Sequence, residues 1–136
     1  MATREAPESA RVDLWERAIV EARVPARECF IRTLRLVASD VAARAGFDVD
    51  ASDDIRLAIT ELCAAVLKPH ADLLTLRFAF SPGALQVNGF CEGTASRVPQ
   101  LDEMAAIVVD CVADHYDFGA DGNSSFFSFE KRSVWS

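Results

Sequence analysis

Two apolar stripes at helical spacing, one after the other and each closed by a helix-breaking residue, restrict this chain more than any other feature. Phe30, Leu34, Val37 and Val41 recur at i, i+4, i+7 and i+11 on a stretch that opens with Pro25 and stops at Gly46. That is the pattern of a long amphipathic helix with one buried face. Ile55, Ile59, Leu62 and Val66 repeat it from about Ala51 or Ser52 to Lys68, with Asp50 or Ser52 placed to cap the start and Pro69 barring continuation. One-sided helices need an apolar surface to lie on, and segments of period 2 supply it. Residues 19–24, closed by Pro25, suit a strand; residues 74–80 and 84–91 flank Ser81-Pro82-Gly83 as a hairpin; residues 124–130 form a closing strand. A third helix, about Gln100 to His115, is expected to turn Met104, Ile107, Val108 and Cys111 or Val112 inward. The order strand, helix, helix, hairpin, helix, strand predicts an α/β (α+β) two-layer sandwich, with a mixed β-sheet covered on one face by helices. Phe126, Phe127 and Phe129 make the closing strand too aromatic for one buried face, so Phe127 is expected at an exposed dimer or partner surface.

With 136 residues the chain has the length of one domain. Residues 1–10 read as a flexible tail and 11–136 as a single domain. Lys+Arg is 14 against Asp+Glu 21, a net charge of −7, and the sequence contains no basic block. Counterion release on a phosphate backbone needs clustered Lys and Arg, so direct nucleic-acid binding is not expected. The polar start lacks the apolar core of a signal peptide, and no apolar run approaches the roughly 18 residues of a membrane span. A cytoplasmic protein without a membrane partner is expected. Cys29, Cys63, Cys91 and Cys111 are isolated from one another, each in an apolar stretch without CxxC spacing or a partnering His, and read as buried thiols with no metal site. His70 and His115 are lone and read as exposed or capping.

Residues 24–47, from the opening Val24-Pro25-Ala26-Arg27 through Arg35-Leu36 to Gly46-Phe47, are followed by Asp53-Asp54-Ile55-Arg56-Leu57-Ala58-Ile59-Thr60-Glu61. In order and spacing these motifs resemble the bacterial anti-sigma factor serine/threonine kinases, of the GHKL (histidine-kinase-like ATPase) fold, over about residues 19–132. The resemblance implies a Bergerat-like fold and three nucleotide boxes. The first box is Glu-x-x-x-Asn on the second helix, where Glu activates the attacking hydroxyl and Asn holds Mg²⁺. Here Glu61 stands at the glutamate and Ala65 at the asparagine, and a methyl group cannot ligate Mg²⁺. The second is Asp-x-Gly-x-Gly after the hairpin's second strand, its Asp holding the adenine amino group. Cys91 takes the Asp position, Gly93 matches the first glycine and Ala95 replaces the second; Glu92 points to the opposite face. The third is a Gly-x-Gly-Leu that opens the last helix beneath the phosphates, and Glu103 and Ala105 take the place of its glycines.

This erosion, with Glu-x-Cys on the second helix, looks like the actinobacterial branch of the family. What it implies is an anti-sigma regulatory factor, a pseudokinase that sequesters a sigma factor by protein–protein binding and is released by an anti-anti-sigma antagonist. No cofactor is expected; ATP and Mg²⁺ would enter only if the family activity survives. The alternative is an active serine/threonine kinase that phosphorylates the antagonist. Glu61 is then the base, whereas in the first reading it is vestigial. Arg27, Arg32, Arg35 and Arg44 are the one concentration of positive charge, on the polar side of the first helix. Arg27, Arg32 and Arg35 are the expected sigma contacts, with Arg35 exposed by helical phase. The resemblance also favours a homodimer.

Overall fold

The computed structural model describes residues 18–93 and 98–133. The expected tail, and Ala95, lie outside the described residues. Strand β1 (Ala18–Pro25) leads through a 3-10 turn (Glu28–Phe30) into helices α1 (Ile31–Arg44) and α2 (Val49–Val66). Strands β2 (Leu73–Ser81) and β3 (Ala84–Glu92), helix α3 (Glu103–Val112), and strands β4 (His115–Asp121) and β5 (Ser124–Arg132) follow. The strands form one sheet in the order β1-β2-β3-β5-β4.

The two-layer α+β arrangement is as the sequence predicts, with helices on one face. The sheet differs: each of its four pairings is antiparallel, not mixed. The cause is β4, which occupies residues that the sequence pattern leaves unassigned between a third helix expected to end near His115 and the closing strand from 124. A single helix between β3 and β4 makes those two strands point the same way, as in any βαβ unit, but β5 inserts between them and runs against both. β4 turns into β5 at Gly122-Asn123, where Gly122 takes φ 65°.

Local chemistry sets the element ends. Gly46 (φ 90°) stops α1 as expected, in the left-handed conformation that glycine adopts without penalty. α2 starts earlier than the sequence suggested: Asp48, rather than Asp50 or Ser52, accepts a hydrogen bond from the Ala51 N–H at 2.8 Å. Asp102 caps α3 in the same way, through the Ala105 N–H at 2.7 Å.

The core lies between the helices and the inner sheet face. Leu34, Ile55, Ile59 and Leu62 from the helices meet Leu74, Leu76, Phe78, Val87 and Phe129, all without solvent exposure. Each contributes on the order of 1.5–3 kcal/mol of burial. Phe127 is 1% exposed, which overturns its expected place on an outer surface. Gly89, its partner across β3 and β5, leaves room for the ring: a Cβ there would fall 2.2 Å from Phe127 Cε2. The absent side chain on β3 thus makes an inward-facing phenylalanine fit, and the outward aromatic of the cluster is the half-buried Phe126.

α3 is also rotated from its expected phase. Ala105, Val109 and Val112 face the core, while Met104 (72%) and Ile107 (53%) are exposed and Val108 is half-buried. Small residues can approach α2, on which this helix packs, more closely than Met or Ile, so they take the inner stripe. Among the cysteines only Cys63 and Cys91 are buried; Cys29 and Cys111 are exposed, contrary to expectation. Cys29 sits in the 3-10 turn, which carries no buried residue, and Cys111 lies on the outer stripe of α3. No helix among the described residues is long and apolar enough to cross a membrane.

Candidate functional site

The C-terminal end of α2, the end of β3 and the start of β5 converge, and hydrogen bonds between them fill the junction. The last turn of a helix leaves carbonyls without intrahelical partners. One of these, on Val66, accepts from the buried Ser125 Oγ, which also lies 3.4 Å from the Cys91 carbonyl oxygen. Lys68, two residues past the helix and 4% exposed, donates from Nζ to the carbonyl oxygens of Asn123 (2.7 Å) and Gly93 (3.3 Å). The Gly93 N–H donates in turn to Asn123 O at 3.1 Å. A Cβ on Gly93 would approach Ala71 Cβ to 3.1 Å. An ammonium group and one hydroxyl therefore stitch together three chain segments from the inside.

Each box position has a definite place in this frame. Ala65 is buried on α2, and Glu61, one turn earlier, is half-buried on the same edge. Cys91 is buried at the inner face of β3 while Glu92 points outward, as strand alternation requires. Burial pushes the Cys91 thiol up from its ordinary pKa, an effect partly offset by the Lys68 backbone and charge. Burial also drives the Cys63 thiol well up, so neither is a thiolate nucleophile near neutral pH.

Glu103 is exposed in the first turn of α3 and Ala105 is buried behind it. The Ala105 N–H, one of the amides that a phosphate at this helix end would need, is engaged by the Asp102 carboxylate. The hydrogen bonds at the junction thus bring together Cys91, Gly93 and the end of α2 next to Ala65. Glu103 and Ala105 belong to a separate element that packs on α2.

The role of Lys68 has no local sequence signal beyond a lone cation between an apolar run and Pro69, because it depends on the distant β4–β5 turn.

A second surface lies on α1. Arg27 and Arg32 are exposed, whereas Arg35 is half-buried and not fully exposed as its helical phase suggested. Arg27 precedes the 3-10 turn instead of lying on the helix. Arg44 pairs with Asp40 at 2.7 Å within the helix, which raises the guanidinium pKa through that hydrogen bond and the Asp40 charge. Beside these cations is the apolar side chain of Leu36, 64% exposed and one turn from Arg32.

The fold has counterparts of known structure. It matches the crystal structure of the RsbU and RsbW domains of Rv1364c from Mycobacterium tuberculosis with a TM-score of 0.66 at 13% identity. The match covers 85% of this chain. The likeness is one of fold. This chain spans 32% of that longer chain. No family model and no curated protein matches the sequence.

Proposed function

We propose that this protein is an anti-sigma regulatory factor that sequesters a sigma factor by direct binding, without ATP-driven phosphotransfer. The sequence resemblance to anti-sigma kinases from Val24 to Glu61 supports the family assignment. The fold likeness to a chain containing an RsbW domain is consistent with it.

The single observation that carries the loss of nucleotide chemistry is the start of α3. Phosphate binding at a helix end needs free N–H groups and an absence of negative charge. Here Asp102 occupies the Ala105 N–H, and Glu103 adds a second carboxylate in the first turn. The other positions agree. Ala65 offers no oxygen for Mg²⁺, and the Cys91 thiol is buried where a carboxylate would meet an adenine amino group. These residues do not fit Mg-ATP, so no step of the action is routed through it.

Action by occupancy needs an interface with an apolar anchor and a charged surround. The outward face of α1 offers this, with Leu36 as anchor and Arg27, Arg32 and Arg35 to meet acidic groups on a sigma factor. Binding hides the sigma factor from RNA polymerase, and an anti-anti-sigma antagonist that competes for the protein releases it.

Two measurements test the reading. Titration calorimetry with Mg-ATP is expected to show nothing tighter than roughly millimolar, about 4 kcal/mol of binding. Charge reversal at Arg32 with Leu36→Asp is expected to weaken sigma-factor binding at least about tenfold while the fold is kept. A micromolar ATP constant, with phosphate transferred to an antagonist, would replace this reading by that of an active kinase using Glu61.

A further inference from the structure

The net negative charge of the chain is carried by one region. Residues 98–130 contain seven carboxylates and no Lys or Arg, so this stretch alone accounts for the net charge of −7 and the rest of the chain is balanced. Four of the seven, Asp102, Glu103, Asp110 and Asp114, lie on α3 or at its ends and are exposed. The others, on β4 and β5, are exposed as well. Three of these groups are held in place: Asp102 by the helix cap, Asp110 by the Tyr116 hydroxyl at 2.5 Å and Asp114 by the Arg132 N–H at 2.7 Å.

The same helix carries two apolar stripes. Ala105, Val109 and Val112 are consumed by the core. Met104, Ile107, Val108 and Cys111 stand at i, i+3, i+4 and i+7, the spacing of a buried helical face, yet Met104 is 72% and Ile107 53% exposed, and Cys111 is exposed. Scattered exposed hydrophobics are ordinary; three members of one helical stripe, Met104, Ile107 and Cys111, left exposed among the described residues beside a half-buried Val108 indicate something that covers them.

We infer that the outer face of α3 is a docking surface for a basic amphipathic helix of a partner protein, whose apolar side covers Met104, Ile107 and Cys111 and whose Lys or Arg side chains meet Asp102, Glu103, Asp110 and Asp114. Apolar anchors at i, i+3, i+4 and i+7 suit a helical ligand laid along the stripe. The single-sign rim selects a cationic partner and speeds encounter. A second copy docking face to face is disfavoured, because an isologous contact would bring the two acidic rims together. The surface is distinct from the arginine-bearing face of α1, since α2 packs against both helices and lies between them. It therefore stands or falls independently of the sigma-binding reading.

The test uses the full chain and a fluorescein-labelled synthetic peptide of Leu and Lys with one apolar helical face, read by anisotropy. Two control peptides accompany it: the same residues scrambled so that no apolar face forms, and the amphipathic Leu/Glu counterpart. The amphipathic Lys peptide is expected to bind at least about tenfold more tightly than either control. Ile107→Asp and Glu103→Lys should each weaken it about tenfold or more, while Leu36→Asp and Arg35→Glu leave it unchanged. Circular dichroism should show Ile107→Asp melting within about 3 °C of the parent, as expected of an exposed position. Three results would overturn the inference: scrambled and amphipathic Lys peptides binding equally, which reports bulk charge alone; Ile107→Asp binding as tightly as the parent while folded; or a concentration-dependent dimer abolished by Ile107→Asp, which makes a second copy the occupant.

Discussion

Gly89→Ala should destabilise the protein through one contact. Glycine in a strand interior is ordinarily a weak choice, so alanine there would by itself gain about 0.5–1 kcal/mol. At Gly89 the new Cβ would lie 2.2, 2.7 and 2.9 Å from Cε2, Cζ and Cδ2 of Phe127. Ordinary contact begins near 3.4 Å, so the ring must retreat by about 1 Å in a region of close-packed side chains. Phe127 is 1% exposed and its inward-facing strand mate Phe129 is fully buried, which leaves the ring no solvent to move into. Overpacking of this kind costs typically 1–3 kcal/mol, and we expect a net loss of about 1–2 kcal/mol after the strand gain. In urea, with a slope of about 1.5–2 kcal/mol per molar for a domain of this size, the midpoint should fall by about 0.5–1 M at unchanged slope. Phe127→Leu should also destabilise alone, but the double variant should cost less than the sum of the two, with a coupling of at least about 0.5 kcal/mol. A Gly89→Ala variant as stable as the parent, or strictly additive losses, would refute the pairing of Gly89 with Phe127 and with it the register of β3 on β5.

Asp48→Ala should cost about 1 kcal/mol by removing the α2 cap, whereas Ser52→Ala should be neutral or slightly stabilising, since Ser52 Oγ is buried without a partner; denaturant midpoints of the two variants check this. Leu62→Ala should cost roughly 2–5 kcal/mol through lost burial and a residual cavity, while Glu61→Ala, half-buried on the neighbouring edge, should cost under about 0.5 kcal/mol and leave sigma binding intact. Under native conditions near neutral pH a thiol-specific disulfide reagent should titrate Cys29 and Cys111 rapidly and leave Cys63 and Cys91 unreacted until unfolding. Burial raises both inner thiols, so they stay protonated through the neutral range and gain reactivity only at higher pH. Four thiols reacting at one rate in the folded protein would contradict the packing at the end of β3.

The second helix was legible because Ile55, Ile59, Leu62 and Val66 are large and their stripe has no competitor; all four are fully buried. On the first helix Leu34 and Val41 are buried as expected, but the helix starts at Ile31, Phe30 lies in the 3-10 turn before it, and Phe30 and Val37 are half-buried. α3 has two stripes of equal spacing. Side-chain size favours Met104 and Ile107 as core in sequence, but close approach to α2 favours Ala105 and Val109, and only tertiary packing decides between them. β4 was invisible for a related reason. Its segment His-Tyr-Asp-Phe-Gly-Ala-Asp has two aromatic residues to place inward and is otherwise polar or small, a weak period-2 signal that follows a strong helical one. The box positions could be read one by one, since each substitution removes a chemical capability on its own. What fills the junction could not: Lys68 and Ser125 reach Gly93, Asn123 and Val66 across 25, 55 and 59 residues, and no local pattern encodes such partners.

The central claim is that this chain acts by occupying a sigma factor, with no need of nucleotide. Its most direct test is the affinity of the nucleotide-free protein for its copurified sigma factor, measured by calorimetry with and without saturating Mg-ATP. The expected result is a stoichiometric complex whose dissociation constant is the same in both conditions, within about twofold, because a ligand that does not bind cannot shift the equilibrium. A complex that forms only with Mg-ATP, or is tightened about tenfold or more by it, would contradict the account and return the protein to the nucleotide-driven kinases.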